Sequence, residues 1–296
     1  MSVPSFERLR VETSDGVATV TIDAPPLNHF SIGLARELST LCHWLRRTDD
    51  ARVVLVQSAI DDFFIPHVDL EDFDNLSMPP EPLRSIGVRL MEWMAHCGPP
   101  ARWLNQLVLC KLSPYHAALE AVSSLPQITI AVIEGRVGGI GSELALCADM
   151  RFGDCERAVL NQLEASFGVF PGAGGTQRLA LLLGEGRAHE IVASSMDIDA
   201  TTGERWGYYN RVLPAGEVRP FANALARRIA RFPRDGVRTG KRLVRRARPP
   251  SRKALQLEAL HFMRGMYTAP VRERIEAFLA AGGQRREGAS RLADLL

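Results

Sequence analysis

The 296-residue sequence is poor in lysine, nearly balanced in charge and free of long apolar runs. Of its 36 basic residues only Lys111, Lys241 and Lys253 are lysines, so arginine or backbone N–H groups would have to recognise any anion. The formal net charge of +2 gives no case for a nucleic-acid or membrane-surface partner. No apolar run approaches the ~20 residues that a membrane-spanning helix needs, and the first residues lack the apolar core of a signal peptide.

Cysteine is scarce and scattered, with five residues and no C-x-x-C spacing. A disulfide framework or a zinc site would need paired or clustered cysteines, so we expect neither. These features together predict a cytoplasmic protein with reduced thiols. The length allows one large domain, or a domain with an appendage.

Strand and helix patterns alternate over the first half of the chain. Residues 7–23 have strand-like alternation around the turn signal Ser14-Asp15-Gly16, which predicts a hairpin. Apolar residues then recur at helical spacing over residues 31–47, and the β-branched runs ARVVLVQSA and QITIAVIEG are typical of buried strands. This order of elements predicts an α/β fold with parallel strands.

Helical patterns dominate the middle and the end of the chain. Between residues 69 and 126, proline breaks separate helical stretches near 84–96, 101–110 and 114–123, and we predict a helical excursion over the core. From Thr202 onward, basic or amphipathic helical stretches predominate, which indicates a helical C-terminal subdomain.

Three segments contain the residue types that could stabilise an oxyanion and move protons. They are DDFFIPHVDLEDF (61–73), GGIGSELALCAD (138–149) and NQLEASFGVFPGAGGTQRLALLLG (161–184). Glycine-rich turns and helix starts offer backbone N–H groups to an oxyanion, and two acids, Glu143 and Glu164, belong to these segments. Each acid also has a plain alternative, because Glu143 could simply favour a helix N-terminus and Glu164 could be a solvated surface acid.

In this order, the three segments resemble the crotonase family, also called the enoyl-CoA hydratase/isomerase superfamily. The motifs FPGAGGTQRLALLLG and GGIGSELALCADMRF carry the resemblance, which extends from PPLNHFS near the N-terminus to IEAFLAAG near the C-terminus. It implies a spiral of ββα units over residues 1–200, with a long helical insertion at 70–125 over the acyl pocket. Residues 201–296 would form a helical C-terminal subdomain for oligomerisation, as a trimer or a dimer of trimers.

The resemblance also implies a chemistry. In the family, a thioester carbonyl binds between two backbone N–H groups that stabilise an enolate, and by motif position these groups belong to Val68 and Ile140. Glu143 and Glu164 fall on the family's two catalytic glutamates, which act on a bound water as acid and base. The implied reaction is reversible hydration of a 2-enoyl thioester of coenzyme A in fatty-acid metabolism, with no metal or redox cofactor.

The oxyanion loop departs from the family's pattern. It reads FIPHVDL over residues 64–70, where the family usually has F-S-A-G-A-D-L, so Pro66 and His67 replace a small residue and a glycine. His67 could act on the substrate, or it could close part of the coenzyme A channel by packing. The family's C-terminal lysine that meets the coenzyme A nucleotide falls at Ala281, which leaves a carrier-protein thioester open. The predicted substrate contacts are Pro66, His67, Gly139, Gly172 and Phe278.

Two other functions stay open at this point. The altered loop and the long insertion would also suit isomerisation, decarboxylation or carbon–carbon bond chemistry in a biosynthetic pathway. The third alternative is a catalytically silent acyl-thioester-binding scaffold, because Pro66 and His67 could spoil the oxyanion hole. Two acids facing a buried site argue against a scaffold, which would not need them.

Overall fold

The computed structural model describes residues 3–74, 83–101, 104, 113–247, 252–266 and 268–289. Within these ranges the strands, in chain order, are β1 (Leu9–Ser14), β2 (Val17–Ile22), β3 (Val53–Ser58), β4 (Asp62–Ile65), β5 (Ile128–Ile133), β6 (Gly135–Gly138), β7 (Met150–Asp154), β8 (Val159–Asn161), β9 (Ile198–Asp199) and β10 (Arg211–Leu213). They form a six-stranded sheet in the order β1-β2-β3-β5-β7-β10 and a four-stranded sheet in the order β4-β6-β8-β9.

The helices of the described ranges lie between and after these strands. In chain order they are α1 (Ile32–Arg47), α2 (Glu71–Asp74), α3 (Leu83–His96), α4 (Pro114–Ser123), α5 (Ile140–Cys147), the 3₁₀ helix Glu164–Phe167, α6 (Gly175–Leu183), α7 (Glu185–Ser194), α8 (Ala200–Trp206), α9 (Val218–Ala230), α10 (Arg234–Ala247), α11 (Arg252–Met266), α12 (Ala269–Ala280) and α13 (Arg286–Ala289). None of them is both long and apolar enough to cross a membrane.

Consecutive strands from β3 to β8 alternate between the two sheets. At least one helix follows each pair of strands. Helices α2 to α4 follow β3 and β4, α5 follows β5 and β6, and α6 follows β7 and β8. The β3, β5 and β7 strands pair in parallel, as do β4, β6 and β8, while β1 and β2 form an antiparallel hairpin. The predicted α/β fold, with parallel strands and a ββα repeat, is therefore confirmed.

Helices α1, α3 and α4 correspond to helical patterns in the sequence. The side chain of Ser31 caps α1 by accepting a hydrogen bond from the Leu34 N–H. One face of α1 is buried in the main core against α4, which follows from the helical spacing of its leucines. Helices α3 and α4 confirm two of the predicted middle helices, whereas most of the stretch predicted at 101–110 lies outside the described residues.

The C-terminal part of the chain packs first on the six-stranded sheet and then on other helices. Strand β10 pairs in parallel with β7, and α9 covers one face of the six-stranded sheet with small residues four apart, from Ala222 to Ala226 to Ala230. Helix α11 then packs on α3 and α6, and α12 packs on the 3₁₀ helix. The division of the chain at residue 200 stays a prediction.

Candidate active site

Two loops meet because the strands before them are neighbours. Strands β4 and β6 pair in parallel, so the loop after Ile65 and the turn before α5 leave from the same edge of the sheet. The backbones lie so close that a Cβ atom on Gly138 would be 2.3 Å from the Pro66 carbonyl oxygen, and one on Gly141 would be 2.1 Å from that of Ile65. Glycine at both positions therefore permits the contact between the loops.

The two predicted oxyanion donors lie in these loops. The His67 carbonyl accepts a hydrogen bond of 3.0 Å from the Phe30 N–H, which fixes the peptide plane that carries the Val68 N–H. Ile140 is the first residue of α5, where a backbone N–H has no partner inside the helix. Within the described ranges, neither the Val68 N–H nor the Ile140 N–H donates a hydrogen bond, so both are available to an acceptor.

Glu143 lies in the first turn of α5 and is 2% exposed. Its Oε1 atom accepts hydrogen bonds from the Ala173 N–H at 2.7 Å and the Gly175 N–H at 2.8 Å, where the chain enters α6. Burial raises the pKa of Glu143 to about 7, and these two N–H groups and Arg178 oppose the rise by favouring the carboxylate. The carboxyl group is therefore held in place and titrates near neutral pH.

Glu164 begins the 3₁₀ helix, and its carboxyl group lies beside Gly139 in the turn before α5. A Cβ atom on Gly139 would be 3.1 Å from its Oε1 atom, so the absence of a side chain at Gly139 leaves room for the carboxyl group. Although part of Glu164 remains accessible, burial of its carboxyl and the negative charge of Glu143 raise its pKa to about 8. Because the two acids repel each other when both are charged, one keeps its proton while the other ionises.

A chain of polar groups supports Glu164. In the orientation that satisfies its neighbours, the Gln162 amide nitrogen donates to both oxygens of Glu164, at 3.2 and 2.9 Å. The Gln162 oxygen then accepts from the Ser142 hydroxyl at 3.3 Å, and that hydroxyl accepts from the Tyr208 hydroxyl at 3.0 Å. Sequence patterns give no signal for Tyr208, whereas Gln162 lies two residues before the acid it supports.

The sequence model of a family described as enoyl-CoA hydratase/isomerase matches residues 109–284, more than half of the chain. The chain belongs to this family. Its membership confirms the predicted resemblance to the crotonase superfamily of enzymes.

Relatives in plants and bacteria extend the similarity over most of the chain. A probable mitochondrial enoyl-CoA hydratase 2 of Arabidopsis thaliana is 30% identical over 77% of this chain and 67% of its own length. A probable enoyl-CoA hydratase of Rhizobium meliloti is 27% identical over 93% of this chain and 96% of its own. The crystal structure of a putative enoyl-CoA hydratase from Streptomyces avermitilis superposes with a TM-score of 0.84, at 32% identity, over 99% of this chain and 98% of the other.

His67 lies in the loop after β4, between Pro66 and Val68, and is 2% exposed. Its Nδ1 atom carries the hydrogen, because it bonds at 2.6 Å to the Val68 carbonyl, which can only accept. Its ring lies 4.6 Å from that of His29 and 5.8 Å from that of Phe278. Burial lowers the pKa of His67 to about 3, so the ring is neutral and packs between two other rings.

The other predicted substrate contacts make protein contacts in this structure. Phe278 is buried and meets the Phe167 ring edge-on at 5.1 Å. The Gly172 carbonyl accepts a hydrogen bond from His116 Nε2 at 2.8 Å. The Pro66 carbonyl lies against Gly138, whereas Gly139 lies beside Glu164. A direct role of all five residues in substrate binding stays a prediction. His116, Arg178 and Glu258 join the surroundings of the site without a sequence signal.

Proposed function

We propose that this chain catalyses the reversible addition of water to a 2-enoyl thioester of coenzyme A, with Glu143 and Glu164 as its acid–base pair. The observation that carries the proposal is a pair of carboxyl groups, Glu143 held by the 171–175 turn and Glu164 beside Gly139, that lie close enough for the charge of one to raise the pKa of the other. Their pKa values are raised to about 7 and about 8. Acid–base catalysts work best when their pKa values lie near the working pH. No cofactor is part of the proposal.

The thioester carbonyl oxygen would accept hydrogen bonds from the Val68 and Ile140 N–H groups. The partial positive charge on their hydrogens stabilises the enolate as it forms. Each such donor typically contributes about 3 kcal/mol to transition-state stabilisation. The positive end of the α5 dipole adds to the effect at Ile140.

Water would bind between the two acids. Glu143, the acid with the lower pKa, takes a proton from the water as its oxygen bonds to the β-carbon of the substrate. The electron pair of the double bond moves into the enolate, and Glu164 gives its proton to the α-carbon as the enolate collapses. Proton exchange between the two carboxyl groups and solvent restores the starting state, so atoms and charges balance over the cycle.

The test is hydration of crotonyl-CoA, followed by loss of the enoyl thioester absorbance. We expect Glu164→Gln to lower kcat at least about 100-fold, because the amide cannot donate a proton to carbon. The matched control is Glu190→Gln on the exposed face of α7, which should turn over like the wild type. A Glu164→Gln variant with the wild-type rate would overturn the acid–base assignment.

Other family reactions differ from hydration in their products. Ala281 in place of a lysine suits a carrier-protein thioester. Product analysis with 2-enoyl, 3-enoyl and β-carboxyacyl thioesters, on coenzyme A and on a carrier protein, separates hydration from isomerisation and decarboxylation. Tight thioester binding without turnover of any of them would indicate the scaffold.

We also propose that the protein assembles as a trimer, or a dimer of trimers, in the cytoplasm. The apolar side chains Ile86, Leu90 and Trp93 on one side of α3 are 59%, 52% and 63% exposed, which suits burial against another subunit. The cysteines of the described ranges are free thiols, as a reducing compartment would keep them. Analytical ultracentrifugation tests the assembly, and a monomer at micromolar concentration would contradict it.

A further inference from the structure

Helix α11 lies directly across the turn at residues 171–175. On the face of α11 that meets the turn, Leu255, Glu258 and Phe262 follow each other at helical spacing. A Cβ atom on Gly172 would be 2.2 Å from Phe262 Cγ, and one on Gly174 would be 2.9 Å from Leu255 Cδ2. The turn is therefore built of glycines where α11 presses on it.

Glu258 lies between these two apolar contacts and is 6% exposed. Both of its carboxyl oxygens are buried, and neither has a hydrogen-bond partner among the described residues. The N–H groups of Gly174 and Gln177 face the carboxyl without reaching hydrogen-bond geometry. A charged carboxylate in such a place is costly, so the neutral acid is favoured. Burial and the charge of Glu143 together raise the pKa of Glu258 to about 9.

The same turn also holds Glu143, through the N–H groups of Ala173 and Gly175. Glu258 and Glu143 thus approach the start of α6 together, and Arg178 acts on both. The described charged side chains of α3 and α12, which also pack against α11, either pair with another residue or are exposed. On α3, Glu92 pairs with His261 at 3.5 Å. The remaining charged side chains of α3 and α12 with a described environment are exposed: Arg89, Arg272, Glu273, Arg274 and Glu276.

We propose that Glu258 is a positioning residue for Glu143. As a neutral acid, Glu258 keeps α11 packed on the 171–175 turn. When Glu258 ionises, it disturbs Glu143 and lowers activity at alkaline pH. A negative Glu258 would favour the protonated form of Glu143 and would leave a buried charge under α11. The role rests on the proposed function, because it acts through one of the two acids of the hydration reaction.

The primary test compares kcat/KM at pH 9.5 with kcat/KM at pH 7.0 for each protein, using crotonyl-CoA with the non-enzymatic rate subtracted. We expect this ratio to be at least about threefold higher in Glu258→Gln than in the wild type, because the amide keeps the neutral state at both pH values. Glu258→Met, which removes the acid and keeps its length, should raise the ratio in the same way. Glu276→Gln, an exposed acid on α12, should leave the ratio unchanged. Ratios in both Glu258 variants that equal the wild type would overturn the proposal.

A second readout needs no turnover, so it separates failure of this proposal from failure of the proposed function. An acid whose pKa is raised in the folded state stabilises fully below its unfolded value, and this stability is lost as the pH rises towards about 9. The wild-type Tm should therefore fall more between pH 5 and pH 9 than the Tm of Glu258→Gln or Glu258→Met. Equal falls in all proteins would show that Glu258 titrates normally and would contradict the seating role. If the Tm differences appear and no thioester is turned over, the hydratase function fails and the seating role stands.

Discussion

Gly139, which has no side chain, lies where the two loops of the candidate active site meet, beside Glu164 and His67. Its backbone has φ +49°, a conformation that residues with a Cβ atom rarely adopt. An added Cβ would meet Glu164 Oε1 and Leu163 Cδ2, both at 3.1 Å, and His67 Cβ at 3.7 Å. Gly139 is therefore required both by its own dihedral angles and by the space that the acid occupies.

Gly139→Ala should abolish hydration with only a moderate loss of stability. The new methyl group displaces the Glu164 carboxyl and strains the peptide that carries the Ile140 N–H, so we expect kcat/KM to fall at least about 100-fold. The strained backbone should lower the free energy of unfolding by about 1–2 kcal/mol. Steady-state kinetics and urea unfolding on the same preparations measure the two effects.

Gly216→Ala is the matched control for this change. Gly216 also has a positive φ, of +80°, but no atom lies within 4 Å of its added Cβ. The control should lose stability for the same backbone reason and keep its activity. If both variants lose activity in proportion to their stability, the effect of Gly139 is a matter of folding, and its place in the site is contradicted.

At the scale of elements, the turn at 171–175 has contacts from four different helices. His116 on α4 donates to the Gly172 carbonyl at 2.8 Å, and Arg178 on α6 donates to the Ala173 carbonyl at 2.9 Å. Glu143 on α5 accepts from the turn, and Phe262 on α11 covers it. This glycine-rich turn thus supplies the N–H groups of Ala173 and Gly175 to Glu143.

Helix α10 shows how a rare residue can fix the position of an element. Lys241, one of only three lysines in the chain, is 5% exposed and pairs with Asp149 at 2.6 Å, at the end of the segment that follows α5. Its Nζ also donates to the Gln127 carbonyl, beside β5. Arg245 of the same helix also pairs with Asp149, at 2.9 Å, so loss of Lys241 would remove one of two cations from this carboxylate and one donor from the Gln127 carbonyl.

Lys241→Met should therefore lower the free energy of unfolding by roughly 2 kcal/mol, as measured by urea denaturation near neutral pH, because its hydrogen bonds to charged and backbone acceptors are lost while Arg245 still neutralises Asp149. Arg242→Met, the next residue on the same helix, removes an exposed charge and should change stability by no more than about 0.5 kcal/mol. Equal effects of the two substitutions would mean that the Lys241–Asp149 pair does not hold α10 to the sheet.

At the scale of the whole molecule, local patterns predicted the core and long-range packing decided the rest. The hairpin, α1, the parallel strands and the glycine turn before α5 follow from periodicity and turn residues within single segments. Glu258 was missed, because amphipathic spacing in α11 does not tell which distant turn its face will meet. The short β10 strand was missed as well, since three residues carry too little pattern to be told from a loop.

The raised pKa values of Glu143 and Glu164 should also make the stability of the whole protein depend on pH. The pKa values of Glu143 and Glu164 are raised in the folded state, so both acids bind protons more tightly when folded than when unfolded. Their contribution to stability is full below their ordinary values near pH 4.5 and is lost as the pH rises through about 7 and 8. A Glu143→Gln/Glu164→Gln double variant cannot ionise at either position, so it escapes this loss.

We therefore expect the double variant to gain stability relative to the wild type as the pH rises. Its advantage in free energy of unfolding should grow by several kcal/mol between pH 5 and pH 9, by urea denaturation at both pH values, because each unit of pKa shift corresponds to about 1.4 kcal/mol. Glu185→Gln/Glu190→Gln, which changes two exposed acids of α7, should show no such trend. If the double variant differs from the wild type equally at both pH values, the two acids titrate alike in the folded and unfolded chain. The folded protein would then not raise their pKa values to near neutral pH, as acid–base catalysis by this pair requires.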